Sequence, residues 1–163
     1  MRNVFMTSRG VLVLLGLLIS ASAQAQAPKV DRAAEKATVE QTFRDYSTAF
    51  WTADMKKVTT FYNEPMMLMP AGRVVTRAEA EQIMERNREN ARSRGAVEGV
   101  LERVEVKVVG DGVALVSYIA KRLTKDGAVV QDFAGTYYLR KTDDGWKIAV
   151  IHAFPVADYV KLD

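Results

Sequence analysis

The 163-residue chain contains no cysteine and a single histidine, His152. Without cysteine there is no disulfide, no thiolate metal site and no N-terminal cysteine to carry a lipid, so the fold must rest on its core. One histidine, with the turn pair Asp143-Asp144 as the only adjacent carboxylates, makes no transition-metal set, and no calcium-loop spacing occurs. A Gly-rich phosphate loop is also missing, and Ser117 lacks the setting of a nucleophile elbow. No metal and no cofactor are therefore implied. Nor is there an apolar run long enough to span a bilayer, because the nine residues Val11 to Ile19 would rise only about 14 Å against a hydrocarbon core of roughly 30 Å.

That short run is preceded by Arg2 and Arg9 and followed by Ser20, Ala21, Ser22 and Ala23. This is the pattern of a secretory signal peptide over residues 1–23. It predicts a mature chain starting near Gln24, a disordered leader over 24–30, and an exported protein, periplasmic or secreted, with no membrane attachment after cleavage. Removing Arg2 and Arg9 leaves 21 basic against 20 acidic residues, so the net charge falls from +3 to about +1. Nucleic-acid binding needs a clustered positive face. The stretch "ERNRENARSRG" instead interleaves Glu85 and Glu89 with Arg86, Arg88, Arg92 and Arg94 and reads as a solvated helix face. No nucleic-acid partner is expected.

The remaining residues, 31–163, suit one domain. Val39, Phe43, Tyr46 and Phe50 repeat at spacings of four, three and four, the stripe of an amphipathic helix over Asp31 to about Trp51. A shorter helix over Asp54 to Tyr62 has Asp54 as N-cap, and Pro65 ends it. "MMLMP" reads as a short buried strand, and Ala71-Gly72 as a turn into Arg73 to Val75. Thr76 and Glu79 have the capping-box spacing of a third helix, with Ala80, Ile83 or Met84, Asn87 and Ala91 as its inner stripe and Gly95 closing it. The period then changes to two, and three Asp-Gly pairs punctuate four antiparallel strands near 97–109, 113–123, 129–141 and 146–154. The fold class is α+β, three N-terminal helices packed on a curved, mainly antiparallel sheet.

The segments "FRDYSTAFWTADMKKVTTFY", "MMLMPAGRVVTRAE", "VEVKVVGDGVALVSY" and "RKTDDGWKIAVIH" together resemble the nuclear transport factor two-like superfamily, with the SnoaL-like branch nearest. The resemblance rests on pattern and turn placement across nearly all of residues 31–163. It implies a cone-shaped roll enclosing a pocket, frequently as a homodimer. Isomerases, dehydratases, cyclases, non-catalytic binders and assembly modules all share it, so fold alone does not give function. Where ketosteroid isomerases of the superfamily carry an aspartate before a proline, this chain has Met69 before Pro70. Their second acid would fall near Thr136 or Tyr137, where no carboxylate stands. Its dehydratases pair two histidines with an aspartate, a set one histidine cannot supply.

Strand register locates the pocket. A turn over Thr142 to Gly145 pairs Lys141 with Trp146, and regular alternation from there pairs Leu139 with Ile148, Tyr137 with Val150, Gly135 with His152 and Phe133 with Phe154. That reading points His152 inward. A two-residue turn at Asp126-Gly127 sets Ala120 beside Phe133, Tyr118 beside Gly135 and Val116 beside Tyr137, while a three-residue loop, Gly110 to Gly112, turns Val104, Val106 and Val108 inward. Gly135 would then leave a gap between Tyr118 and His152. The expected lining is Tyr46, Tyr118, Tyr137 and His152 among Phe50, Met69 and Phe133, a greasy pocket with a few polar groups that suits a small apolar molecule.

For His152 three roles stand side by side: a core histidine satisfied by one hydrogen bond, a ligand contact, or a general acid/base working with Tyr118. The corresponding functions are a binder of a small apolar ligand, an isomerase, lyase or cyclase, and a dimeric assembly module without ligand. Lys121 and Asp132 pair on the outer face as an expected salt bridge. The apolar outer residues Tyr138, Ala149, Ile151 and Ala153 call for a cover, either a second copy in a homodimer or the tail "PVADYVKLD".

Overall fold

A computed structural model describes residues 31–162, so the segments expected to be a signal peptide, 1–23, and a leader, 24–30, lie outside the described residues. Helix α1 spans Arg32–Thr52, and Asp31 caps it by accepting from the amides of Ala33 and Ala34. Its stripe Val39, Phe43, Tyr46 and Ala49 is buried. Helix α2, Met55–Thr59, is capped by Asp54, which accepts from the Lys57 amide at 2.7 Å.

Pro65 does not end a helix; it sits inside strand β1, Tyr62–Leu68. The strand tolerates it because β1 pairs irregularly with its neighbour between Tyr62 and Met67, where a missing amide breaks no ladder bond. Strand β2, Arg73–Val75, follows the turn and leads into helix α3, Arg77–Ser93.

The capping box of α3 is complete. The Glu79 amide donates to the Thr76 hydroxyl at 3.3 Å, and the Thr76 amide donates to the Glu79 carboxylate at 2.9 Å. The Thr76 amide first, then the Thr76 hydroxyl and Arg73, which also donate to it, hold the Glu79 carboxyl below the usual carboxylate range. Replacing Thr76 with alanine is expected to cost about 1 kcal/mol, seen in thermal unfolding as a melting temperature lower by about 4 °C.

Gly95, with φ +93°, ends the helix in the left-handed region that favours glycine. Strands β3 (Glu98–Val109), β4 (Val113–Leu123), β5 (Val129–Thr142) and β6 (Gly145–Phe154) then form an antiparallel meander. A 3-10 turn, Val156–Asp158, begins the C-terminal tail. The six strands form one sheet in the order β2-β1-β6-β5-β4-β3, antiparallel except where β1 lies parallel to β6. The sheet is curved and unclosed, and its concave side takes the helices, as expected of a cone-like α+β roll. No helix among the described residues is long and apolar enough to cross a membrane.

The registers of β3 with β4 and of β4 with β5 follow the sequence expectation: Val106 faces Val116, Tyr118 faces Gly135 and Ala120 faces Phe133. The β4–β5 connection differs in detail, because Leu123 pairs with Val129 and leaves a wider loop, while a register shift between Arg122 and Leu123 restores the inner pairing. Between β5 and β6 the expectation fails beyond Leu139. A shift there makes Ala149 an extra residue of β6, so that Tyr138 pairs with Val150, Tyr137 with Ile151, Thr136 with His152 and Gly135 with Ala153. A bulge of one residue exchanges the two faces of everything downstream. Ile151 and Ala153 therefore turn inward, and His152 turns out.

The outer face is covered in part by the chain's own tail. The Ser117 hydroxyl donates to the Val160 carbonyl, the Leu162 amide donates to Glu105 at 2.8 Å, and Arg103 lies 5.5 Å from the centre of the Tyr159 ring. Ser117, Ala134 and Thr136 are buried beneath it, while Tyr138, further along β5, remains exposed. Lys121 does not bridge Asp132; it pairs with Glu102 at 2.5 Å, because the irregularity between Leu101 and Arg103 adds Glu102 to β3 beside it.

Candidate functional site: a cavity between sheet and helices

The inward side chains of four strands meet α1 and α3 around a cavity of about 490 Å³. Phe43, Tyr46, Ser47, Phe50 and Trp51 enter from α1, and Met84 and Asn87 from α3. Strand β4 contributes every second residue, Tyr118, Ala120 and Arg122, and β5 contributes Gln131, Phe133 and Tyr137. From β6 come Ile151 and Ala153, with Phe154 at the strand's end beside the opening, and from β3 Gly99 and Leu101. The exposed residues Asp132, Ala153 and Pro155 mark its opening.

The inner end is a packed aromatic group. Phe43 lies 5.0 Å from the ring of Tyr118 and 5.4 Å, edge-on, from Tyr137, and Tyr46 lies 6.0 Å from Tyr137. Such tilted and edge-to-face pairs suit the ring quadrupoles. The hydroxyl of Tyr62, behind the cavity, donates to that of Tyr46 at 3.2 Å. Burial, above all, pushes the hydroxyls of Tyr46, Tyr118 and Tyr137 above the usual phenol range, and neighbouring tyrosines add to this for Tyr46 and Tyr118. These three phenols are therefore neutral at any physiological pH and can donate a hydrogen bond to an oxygen in the cavity.

Two glycines bring backbone close to rings. A Cβ on Gly135 would stand 2.7 Å from the His152 carbonyl oxygen and 2.7 Å from both Cε1 and the hydroxyl of Tyr118. The expected gap at Gly135 is thus filled by the Tyr118 ring. A Cβ on Gly99 would overlap Nε1 of Trp51, so that glycine lets the indole lie against β3.

Of the residues expected from sequence, Tyr46, Phe50, Tyr118, Phe133 and Tyr137 line the cavity. His152 and Met69 do not. His152 sits on the outer face, its ring 4.9 Å from that of Phe154, for the reason of the Ala149 bulge. Met69 lies in the β1–β2 connection, 39% exposed, with its amide donating to the Ile151 carbonyl. An acid/base role for His152 beside Tyr118 has no geometric support, since the two side chains project from opposite faces of the sheet. No group of three side chains able to hold a metal ion occurs among the described residues.

Sequence reasoning missed the polar part of the opening. The alternation Val116, Tyr118, Ala120 runs on to Arg122, which the same period-two pattern could have found. Arg122 is half-buried, with its guanidinium 5.0 Å from the centre of the Phe133 ring. It donates to the Gln131 side-chain oxygen at 3.1 Å, and Arg94, from the end of α3, donates to the same oxygen at 3.1 Å. Burial first, and the charge of Arg94 second, lower the Arg122 pKa from its ordinary value.

The arrangement defines an α+β cone whose sheet and helices wrap a mostly apolar internal cavity. The chain belongs to a family described as NTF2-like protein (DUF6841), whose model matches residues 34–155. That family lies in the superfamily which the sequence segments resemble. No protein of curated function matches the chain. Among solved structures it is similar to a putative dehydratase of the NTF2-like family from Streptomyces avermitilis, at 21% identity and a TM-score of 0.61 over 77% of this chain and 98% of that one. It is also similar to Aln2 from a Streptomyces species, at 15% identity and a TM-score of 0.63 over 78% and 94%. A third similar structure is the association domain of C. elegans CaMKII, at 14% identity and a TM-score of 0.56 over 75% and 96%. At these identities the likeness is one of fold.

Proposed function

We propose that this is an exported NTF2-like domain that binds a small, largely apolar molecule in the cavity between sheet and helices. The observation that carries the reading is the cavity itself: about 490 Å³ walled by aromatic and aliphatic side chains, with three neutral phenol hydroxyls at its inner end. Pockets of roughly 300–1,000 Å³ with few polar groups are the usual receptacles of small molecules. Among the described residues the one carboxylate that lines the cavity, Asp132, stands at its opening and not at the inner end among the tyrosines, which supports binding over proton-transfer chemistry.

Native mass spectrometry of the purified protein is expected to show a non-covalent adduct of a few hundred daltons. Leu101→Trp, which puts an indole into the cavity from its half-buried wall, should remove the adduct and lower affinity for a hydrophobic fluorescent probe by at least about tenfold, or roughly 1.4 kcal/mol. His152→Ala should leave both unchanged. A wild-type protein that neither carries an adduct nor binds the probe would remove this reading.

Export rests on the segment 1–23, and sequencing the N-terminus of protein recovered from the periplasm or medium should give Gln24 as its first residue. A homodimer is proposed on the part of the outer face that the tail leaves open, around Tyr138, which is 42% exposed. The similarity to a CaMKII association domain is consistent with self-association, and gel filtration at the monomer mass would remove the dimer.

A further inference from the structure

Charge is distributed unevenly around the cavity. Its inner end and walls are neutral, whereas Arg122 and Asp132 border its opening, and Arg94, outside the lining, converges with Arg122 on one neutral oxygen of Gln131. Neither arginine has a carboxylate within ion-pairing distance among the described residues, although six other ion pairs occur there. Asp132 shares the opening, but among the ion pairs of the described residues it joins neither arginine. Arg122 is moreover half-buried and held against the face of Phe133, so its guanidinium is oriented before anything binds. A partly desolvated cation repelled by a second cation is an arrangement that an anion relieves, and paired guanidinium forks match the planar geometry of a carboxylate.

We infer that the ligand is an amphipathic carboxylate, its apolar body lying among Phe50, Leu101 and Phe133 and its carboxylate held at the opening by Arg122 and Arg94. The inference rests on the binding reading above and narrows it from any apolar molecule to a monoanionic one. A volume of about 490 Å³ lies within the roughly 300–1,000 Å³ usual for small-molecule pockets, which suits an acid of medium chain length or with two fused rings. On binding, the carboxylate replaces the Gln131 amide oxygen as the acceptor for both arginines. Arg122 selects the charge, and the walls select the body.

The test compares matched acids and neutral analogues on the wild-type protein: decanoate with decanol, and naphthoate with naphthamide, by calorimetry at low ionic strength. Each acid is expected to bind at least tenfold more tightly than its neutral partner, and the preference should shrink as salt is raised. Arg122→Gln should abolish the preference of acid over neutral analogue, and the exposed Arg94→Gln should reduce it. Equal affinity for acid and neutral analogue, or tighter binding of the neutral one, would overturn the anion assignment and leave the apolar cavity standing. Binding of neither class would overturn both readings. The wild-type comparison needs no variant, so it decides the question even if Arg122→Gln folds poorly.

Discussion

Gly135→Ala is expected to destabilise the protein by about 3 kcal/mol, the upper end of what one extra methyl group costs in a packed interior. Two obstacles meet the new Cβ. The Tyr118 ring and hydroxyl stand 2.7 Å away, and so does the His152 carbonyl oxygen. A side chain can swing aside, but that carbonyl belongs to the neighbouring strand, and moving it spreads β5 from β6. Tyr118 is 3% exposed and packed against Phe43, Phe133 and Tyr137, so its ring can move only by giving up those contacts. Chemical denaturation of Gly135→Ala, Tyr118→Leu and the double variant should give a coupling energy of about 1 kcal/mol or more. The double variant should recover only the part of the loss that comes from the ring. A Gly135→Ala protein within about 0.5 kcal/mol of the wild type, the usual span of a substitution that meets no obstacle, would show that β5 and β6 are not so closely apposed.

The second large effect is expected at Arg88, where alanine should cost about 3 kcal/mol, as when a charged donor is taken from buried acceptors. Helix α1 has no basic residue in its last turn, and its terminal carbonyls need donors. Arg88, reaching across from α3, donates to the Phe50 carbonyl at 3.2 Å and the Ala53 carbonyl at 2.7 Å while pairing with Glu85 at 2.5 Å. Its side chain is 7% exposed and that of Glu85 34%, so after truncation Glu85 regains water while the carbonyls stay poorly solvated. Arg88→Lys should recover no more than about half the loss, because one ammonium cannot match a fork that serves three acceptors. Thermal unfolding of the two variants checks both statements, and equal melting temperatures for Arg88→Ala and wild type would refute them.

Arg88 also shows where sequence reasoning reached its limit. In "ERNRENARSRG" the four-residue step from Met84 to Arg88 continues the buried stripe, but an arginine in an arginine-rich run looks like solvent-facing charge. Nothing local tells that two carbonyls of another helix wait at that position. The helix starts were legible because capping residues act within one turn, as at Asp31, Asp54 and Thr76. The β4–β5 pairing was legible for a less direct reason, since the wider loop and the compensating register shift cancel before Ala120 and Phe133 are reached.

Strand β6 gave no such help. Its residues Ile148, Ala149, Val150 and Ile151 are apolar on both faces, and it lies between β5 and β1, so no hydrophobic alternation marks a slip. The bulge therefore hid, and with it the direction of the one histidine. Most of the cavity wall survived that error because β4 and β5, whose register held, supply Tyr118, Phe133 and Tyr137.

The extra residue at Ala149 makes the chemistry of this wall depend on the count of residues and not only on their kind. Were Ala149 instead paired with Tyr138 in an unbroken ladder, Val150 and His152 would take the places of Ile151 and Ala153 on the concave side. An imidazole would then stand beside Gly135 and Tyr118, where the folded protein now presents hydrocarbon. Within this roll, one residue of register separates a hydrocarbon wall from one that carries an imidazole.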